Sequence, residues 1–227
     1  TRVRRAEVLL ETLLTLGRTF IKLGPLLSTR PDVLPPESID VLSSLQDEVP
    51  PADWEDAKQV LEDELGPVEE TFDDFDSEAI SGASLGQVYT AVHDGEEVAV
   101  KVRRPGIIPL VNADLRVIRW SLPLLVFFID DARSFSLSNL AEEFSKTMRE
   151  EMDYERERAM LAEIRANFED DENIRIPRAH PDASGESVLT MEYLPGTKIN
   201  DVETLDAKGI DRTELATQLQ RIYLQMI

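Results

Sequence analysis

The chain contains no cysteine and only two histidines, His93 and His180, among its 227 residues. Without cysteine it can form no disulfide, carry no thiolate nucleophile and build no cysteine-ligated zinc site. Two histidines are too few for most histidine-based metal centres, so we predict no metal ligands in this chain.

Basic residues are also scarce, with 24 Lys and Arg against 45 Asp and Glu and a net charge of −21. Nucleic-acid binding is therefore excluded, because phosphate backbones require a basic surface. Only 6 of the basic residues are lysines. Such a surface suits a very salty cytosol, where molar salt reduces the screening length to about 3 Å. We expect a halophilic archaeal source, with an ordinary acidic bacterial protein as the alternative.

Long hydrophobic runs are missing as well. The most apolar stretch, 117–129, contains Arg119 and Pro123 and is too short to cross a bilayer. We predict a buried helix there, with an interfacial helix as the alternative. The basic N-terminus has no following apolar run with a cleavage site, so no signal peptide is indicated. The expected location is cytoplasmic, and peripheral membrane contact of the full-length protein remains open.

The hydrophobic content of 42% is that of a globular chain, and its first 80 residues read as a helical extension. Leucines at helical spacing predict a helix over 4–24, and prolines predict a loop over 29–36. A second, acidic helix is predicted over 54–65, ending at Gly66. Three further helices are predicted over 112–129, 139–168 and 213–227. Asn139, followed three residues later by Glu142, is the cap signal for the second of these.

The middle of the chain changes to strand patterns. Two β-branched runs, 88–92 and 98–102, flank Asp94-Gly95, which is a strong hairpin signal. A further short strand is predicted over 187–193. These patterns divide the chain into a helical part, 1–80, a mixed part, 81–194, and a final part, 195–227.

Lys101 lies in the second strand of the predicted hairpin. Strand alternation places Val98, Val100 and Val102 on one face, and Ala99 and Lys101 on the other. A lysine on a face of small residues is typical of the nucleotide lysine of kinases, which contacts the α- and β-phosphates. Many edge strands also carry a lysine, so this pattern alone is weak.

The segment 81–88 precedes this hairpin and is rich in small residues. Small residues allow a backbone to approach phosphates and direct its N–H groups at them. The segment is not a G-x-G-x-x-G motif, and an ordinary flexible turn is the alternative. Its combination with Lys101 favours nucleotide binding.

A lysine in such a cleft needs an acidic partner, and the predicted helix 139–168 offers Glu151, Asp153 and Glu157. Helical periodicity places Glu151 and Glu157 on apolar faces, where an unpaired carboxylate is costly. The alternative is a solvated acidic helix. Lys22, by contrast, lies on the polar side of its own predicted helix and by periodicity is a surface residue.

In combination and order, these segments resemble the UbiB/AarF family of atypical kinases. The resemblance rests on five segments: 20–32 with its K-x-G motif, 83–88, 98–106, Glu151-Met152-Asp153-Tyr154, and Met191-Glu192-Tyr193. It implies an α+β fold, namely a protein-kinase-like small lobe with a helical N-terminal extension and the truncated start of the large lobe.

The family resemblance also implies roles for individual residues. Lys101 would contact ATP phosphates and pair with Glu157, while Lys22 would pair with Glu151 over the nucleotide. The residues with implied catalytic roles are Lys101, Glu157, Lys22, Glu151 and Asp153. The residues with implied ATP contacts are Ala83, Ser84, Gly86, Gln87, Val88, Ala99, Lys101, Met191, Glu192 and Leu194. Glu192 and Leu194 would offer backbone groups to adenine.

Three departures from the family pattern qualify these roles. Pro25 replaces the glutamine that follows the K-x-G motif, and Ser81-Gly82 stand where the family has alanine. The catalytic loop and the Mg²⁺ ligands are expected beyond residue 227, so we expect no phosphoryl transfer by residues 1–227 alone.

The implied activity of the full-length protein is ATP-dependent phosphoryl transfer or hydrolysis linked to isoprenoid quinone or lipid metabolism. Its implied partners are ATP and isoprenoid lipids or quinone-biosynthesis proteins. One alternative is a pseudokinase that acts as a nucleotide-gated scaffold. Another is a helical membrane-surface adaptor unrelated to ATP.

The charge imbalance generates the first testable prediction. With a net charge of −21, self-repulsion destabilises the folded chain, and salt screens that repulsion. The melting temperature should therefore rise between low salt and molar KCl, as measured by thermal unfolding. A melting temperature that stays constant or falls would remove the salt-adaptation hypothesis.

Overall fold

The computed structural model describes residues 52–127 and 131–225, and side chains within 52–120 and 139–224. The predicted helix over 4–24 and the loop over 29–36 lie outside the described residues. The chain divides into two units, which meet between Tyr193 and Leu194.

Among its described residues, the first unit contains five short strands in one antiparallel sheet. They are β1 (Asp74–Phe75), β2 (Ser81–Gly82), β3 (Gly86–His93), β4 (Glu96–Arg103) and β5 (Val188–Glu192). The order is β1-β3-β4-β5, and β2 also pairs with β3. The helices of this unit are α1 (Trp54–Leu65), α2 (Val68–Thr71), α3 (Ile107–Phe127), α4 (Asp131–Glu151) and α5 (Tyr154–Asn167). This mixture confirms the predicted α+β fold class.

The hairpin β3–β4 forms as the sequence predicts. Asp94 and Gly95 occupy the turn with φ values of 52° and 76°. Both central residues of a tight, twist-compatible hairpin turn require positive φ, which Asp tolerates and Gly adopts without strain. The register pairs Val88 with Lys101 and His93 with Glu96.

The two faces of β4 alternate strictly. Val98, Val100 and Val102 are fully buried, whereas Ala99 and Lys101 are only partly buried. The valines pack into a core with α1, which begins at Trp54 and ends at Gly66 as predicted. Helix α1 therefore covers the sheet on the face opposite Lys101.

A second core lies between α3 and α4. It contains Leu85, Ile107, Val111, Leu115, Phe144, Met148 and Met152. Helix α3 begins five residues before the predicted start at Asn112. Its described side chains do not follow the predicted buried helix throughout, because Val117 and Trp120 are 59% and 83% exposed. Among the described residues, no helix is sufficiently long and apolar to cross a membrane.

The predicted single helix over 139–168 is wrong. Helix α4 already contains Asn139, so this residue is not a cap, and the helix ends at Glu151. Helix α5 then begins at Tyr154, with Asp153 as its cap. Asp153 adopts extended backbone angles and its carboxylate accepts a hydrogen bond from the Arg156 N–H at 2.9 Å.

The second unit, 194–227, contains α6 (Val202–Ala207) and α7 (Arg212–Gln225). Asp201 caps α6 by accepting a hydrogen bond from the Thr204 N–H. Helix α7 agrees with the predicted final helix over 213–227, as far as the described residues extend.

The cap of α5 generates the second prediction. Asp153→Ala removes the side-chain acceptor at the first turn and should lower the free energy of unfolding by about 1 kcal/mol. Asp153→Asn keeps an acceptor of the same shape and should cost much less. Urea unfolding of the three proteins measures both changes. Equal losses for Asn and Ala would mean that the carboxylate charge, and not the cap, stabilises this position.

Candidate functional site

The sheet face that carries Lys101 borders a cleft of about 490 Å³. The loop 83–86 forms one side, β4 and β5 form the floor, and the end of α4 and the length of α5 form the other side. The floor carries Lys101, Leu189 and Met191 on one face, because Ala99 pairs with Met191 and Lys101 with Leu189. Alternation in two adjacent strands thus places one cation among apolar side chains.

Lys101 and Glu157 are in direct contact in this cleft. The Lys101 ammonium donates to both carboxylate oxygens of Glu157, at 2.8 and 2.7 Å. The side chains remain 26% and 39% exposed, so the pair is accessible to solvent and to a ligand. The contact joins β4 to α5 across the cleft. Its expected role in holding phosphates remains a prediction.

Tyr154 lies beneath the lysine. The Lys101 nitrogen is 4.6 Å from the centre of the Tyr154 ring, a cation–π arrangement. Burial, reinforced by the charge of Glu157, raises the pKa of Tyr154 well above its usual range, so this phenol stays neutral. Its hydroxyl is buried and has no hydrogen-bond partner among the described residues.

The loop between β2 and β3 is held closed by its backbone and by one buried arginine. The Ala83 N–H donates to the Gly86 carbonyl at 2.8 Å. Arg104 donates from Nε to the Ala83 carbonyl at 2.7 Å, and its backbone N–H donates to Leu85 at 2.9 Å. Ser84 is fully buried, and its hydroxyl has no partner among the described residues. This hydroxyl lines the cleft and could donate to an anionic ligand.

Gly86 has no room for a side chain. A Cβ at this position would overlap the Tyr154 hydroxyl and would lie 3.2 Å from the Val102 carbonyl. The glycine therefore lets the aromatic ring reach the position under Lys101. Close approach is the reason for glycine here, since its φ is not in the left-handed region.

The expected contact of Gln87 with phosphates requires correction. Gln87 pairs with Val102, so its side chain points to the α1 face, opposite Lys101. It is fully buried there. Its amide oxygen accepts from the Ala52 N–H at 2.7 Å and its amide nitrogen donates to the Tyr89 hydroxyl at 2.5 Å. Only the backbone of Gln87 is left to contact a nucleotide.

The remaining predicted ATP contacts divide between the cleft and its rim. Ala83 and Met191 line the cleft, while Val88 and Ala99 are partly buried on the same sheet face. Leu194 is the first residue of the second unit, and its adenine contact remains a prediction.

The side chain and the backbone N–H of Glu192 have partners outside the cleft, and an adenine contact of its carbonyl remains a prediction. Its backbone N–H donates to the Arg178 carbonyl at 2.8 Å and is therefore not available to adenine. Its carboxylate binds Arg175 and lies 4.0 Å from Arg165, in a separate cleft of about 680 Å³. The hydrogen bond from Arg175 is the main reason why the pKa of Glu192 lies below its usual value.

The two acidic residues of the E-x-D motif are separated by the helix break. Glu151 ends α4 and lines the cleft, whereas Asp153 caps α5. Lys22 lies outside the described residues, so its pairing with Glu151 stays a prediction.

Sequence reasoning missed the roles of Tyr154 and of the two arginines after Lys101. Arg103 donates to the Met152 carbonyl at 2.9 Å and to the Ser187 hydroxyl at 2.6 Å, which joins β4 to the helix break and to β5. Arg104 holds the loop. The sequence did contain a signal for the arginines. Two consecutive arginines at the end of a buried strand need polar partners nearby, because burying an unpaired charge is costly.

The packing of Gly86 against Tyr154 generates the third prediction. Gly86→Ala should lower the free energy of unfolding by about 1–3 kcal/mol, because the new methyl group overlaps the hydroxyl. Tyr154→Phe should be neutral or stabilising, since it removes a buried hydroxyl without a partner among the described residues. The double variant should lose less than the sum of the two single changes.

Chemical denaturation of all four proteins measures this cycle. Gly196→Ala serves as the control, because no atom lies within 4 Å of its added Cβ. Additive losses in the double variant would show that the Tyr154 hydroxyl does not occupy the space next to Gly86.

Comparison with known proteins gives relatives in bacteria and a plant. Protein ACTIVITY OF BC1 COMPLEX KINASE 7, chloroplastic, from Arabidopsis thaliana is 41% identical over 227 residues, which cover 98% of this chain and 32% of the relative. "Probable protein kinase UbiB" from Klebsiella pneumoniae is 38% identical over 220 residues, covering 93% of this chain and 40% of the relative. These sources do not support the expected halophilic archaeal origin.

A solved structure and a family model extend the comparison. The Rv3197–erythromycin complex from Mycobacterium tuberculosis has a similar fold, with a TM-score of 0.53 and 23% identity over 79% of this chain and 45% of that one. The chain spans only 32% and 40% of the length of the Arabidopsis and Klebsiella relatives. The model of the ABC1 atypical kinase-like domain matches residues 44–227. On this match, which contains the sheet, the cleft and the Lys101–Glu157 pair, the chain belongs to the ABC1 family of atypical kinase-like proteins.

Proposed function

We propose that this chain binds ATP in the cleft at Lys101 and forms the nucleotide-holding part of an atypical kinase or ATPase. The observation that carries the proposal is the Lys101–Glu157 ion pair, with nitrogen–oxygen distances of 2.7 and 2.8 Å, opposite a loop of small residues. In kinases the equivalent pair positions a lysine against the α- and β-phosphates.

The chain as a whole carries a charge of −21 and repels ATP, so binding depends on a local cation. Inside the cleft, Lys101 is paired with Glu157 and keeps about a quarter of its side chain exposed. An ammonium group has three donors, so one can turn to a phosphate while the others stay with Glu157.

The loop 83–86 supplies the second contribution. Its small side chains leave the backbone accessible to phosphate oxygens. The Arg104 hydrogen bond to Ala83 fixes its position, so little ordering is needed on binding. The buried Ser84 hydroxyl, which lacks a partner among the described residues, would gain one from a phosphate oxygen.

Apolar side chains offer a place for the base. Leu189 and Met191 from β5, and Met160, Leu161 and Ile164 from α5, line the same cleft. A cleft with mostly apolar walls and a few convergent polar groups is typical of nucleotide and cofactor sites.

Mg²⁺ would bridge the β- and γ-phosphates and neutralise their charge. Two carboxylates at the cleft are already engaged, since Glu157 binds Lys101 and Glu150 lies 3.1 Å from Arg156. We therefore assign no Mg²⁺ ligand to these two residues, and propose that the ligands follow residue 227 in the whole protein. The link to isoprenoid quinone or lipid metabolism and a peripheral membrane location are proposals for that whole protein.

The fourth prediction tests the nucleotide site. Lys101→Ala in the full-length protein should weaken Mg-ATP binding about tenfold or more, because a charge-assisted hydrogen bond contributes about 1.5–3 kcal/mol. Calorimetry measures the affinity, and phosphate release measures the turnover. Lys146→Ala is the matched control, since Lys146 is 76% exposed and its nearest described acidic partner is Glu150 at 3.9 Å.

Each outcome separates the hypotheses. Unchanged affinity and turnover in Lys101→Ala would contradict the proposal. Affinity lost in the variant, without turnover in the parent, would favour the pseudokinase scaffold. A parent protein that binds no Mg-ATP would favour the membrane-surface adaptor.

A further inference from the structure

The two histidines of the chain, far apart in the sequence, meet in the structure. His93 ends β3, and His180 immediately precedes a 3-10 turn, Pro181–Ala183. Their ring centroids are 5.3 Å apart and the rings are perpendicular. Asp182, within the turn, lies beside both. One ligand atom from each of the three residues lies within 4.8 Å of the other two.

The hydrogen-bond partners of His93 indicate that its Nε2 atom binds a proton or a metal ion. Nδ1 lies 2.8 Å from the Thr71 carbonyl, which only accepts, so Nδ1 carries a proton. In the neutral ring Nε2 is then a lone pair, yet it lies 3.0 Å from the Asp182 carboxylate. Two acceptors at this separation need a proton or a metal ion between them.

His180 completes the arrangement. It is 7% exposed, and its Nε2 is buried without a hydrogen-bond partner among the described residues. The Glu96 carboxylate lies 3.9 Å from this nitrogen and is itself bound by Arg178. An imidazole nitrogen that is buried without a hydrogen-bond partner is available as a metal ligand.

We propose that His93, His180 and Asp182 form a binding site for a divalent transition-metal ion, with zinc as the best match. Two imidazole nitrogens and one carboxylate oxygen suit zinc and its neighbours, whereas Mg²⁺ and Ca²⁺ prefer oxygen ligands. The Thr71 carbonyl orients His93 through the other ring nitrogen, as is usual for metal-bound histidine. This proposal corrects the expectation that the chain has no metal ligands.

The spacing is close to that of a filled site. Tetrahedral zinc with ligand distances of 2.0–2.2 Å keeps its ligands roughly 3.4 Å apart. The His93 and Asp182 ligand atoms are 3.0 Å apart and all three ligand atoms lie within 4.8 Å of one another, so an ion requires only small side-chain shifts. The Asp182 side chain is 65% exposed on its short turn, so it can adjust to an ion.

This site is separate from the nucleotide cleft. His93 lies on the sheet face opposite Lys101 and at the turn end of the hairpin, where it pairs with Glu96. A bound ion would join the end of β3 to the turn that precedes β5. It would thereby stabilise the folded state in proportion to its binding, without contact with ATP.

The fifth prediction follows from zinc titration. After removal of bound metal with a chelator, the chain should bind one Zn²⁺ per molecule in the presence of excess Mg²⁺, which saturates nonspecific acidic sites. His93→Gln and His180→Gln should each weaken binding about tenfold or more. Zinc should raise the melting temperature of the parent and of neither variant.

Asp94→Asn is the matched control. It removes a carboxylate 4.0 Å from His93 Nε2 that is not one of the three ligands, and it should bind zinc like the parent. Zinc binding that survives both histidine substitutions, or that Asp94→Asn abolishes, would overturn the proposal.

A second measurement avoids reliance on the folding of the variants. Because the chain has only two histidines, its histidine ring signals in NMR belong to His93 and His180 alone. One equivalent of zinc should shift or broaden both sets together. A change in only one set, or in neither, would contradict a shared ion.

Discussion

The alternation of β3 and β4 is the constraint on which the rest of the first unit depends. Paired antiparallel strands send successive side chains to opposite faces, so one register decision assigns every residue of the hairpin to a face. Val100 and its neighbouring valines require burial, and this requirement sets the register of the hairpin. Lys101 then has to face the cleft, and Gln87 and His93 have to face the α1 side. The sheet face that carries Lys101 and the histidine cluster on the opposite face are thus consequences of the same apolar pattern.

The helix break at Met152–Asp153 determines the geometry on the other side of the cleft. A continuous helix would carry the E-x-D motif and Glu157 along one axis. The cap at Asp153 instead starts a new helix, which places Tyr154 against Gly86 and Glu157 against Lys101. The ion pair therefore depends on a local backbone signal as much as on charge.

The sequence allowed the hairpin, α1 and the fold class to be predicted because each has a local cause. Asp94-Gly95 determines the turn between β3 and β4, and Gly66 ends helix α1. The helix break escaped prediction because apolar residues continue at helical spacing on both sides, and Asn139 with Glu142 imitates a cap inside a helix. The start of the new helix is marked only by the Asp153 side chain, and an analysis of hydrophobic periodicity does not detect a single capping residue.

Contacts between residues far apart in the chain were the second feature that could not be predicted from the sequence. Family resemblance named Lys101 and Glu157 together, and the structure places them in contact, but no pattern in the sequence connects His93 to His180. Their meeting is a long-range contact between the end of β3 and the turn that precedes β5. The small number of histidines argues against a metal centre, but the fold brings both of them beside Asp182. These three residues are enough for the proposed metal site.

Basic side chains are few in this acidic chain, and three of them join separate elements of the first unit. These three, Lys101, Arg103 and Arg104, occur within four positions at the end of β4, and each has a different target. Lys101 holds α5 through Glu157, Arg103 holds the helix break and the start of β5, and Arg104 holds the loop over the cleft. Because one strand end anchors all three, a ligand that draws on Lys101 acts at the junction of loop, helix and sheet. Nucleotide binding at this point would therefore affect the alignment of the whole lobe.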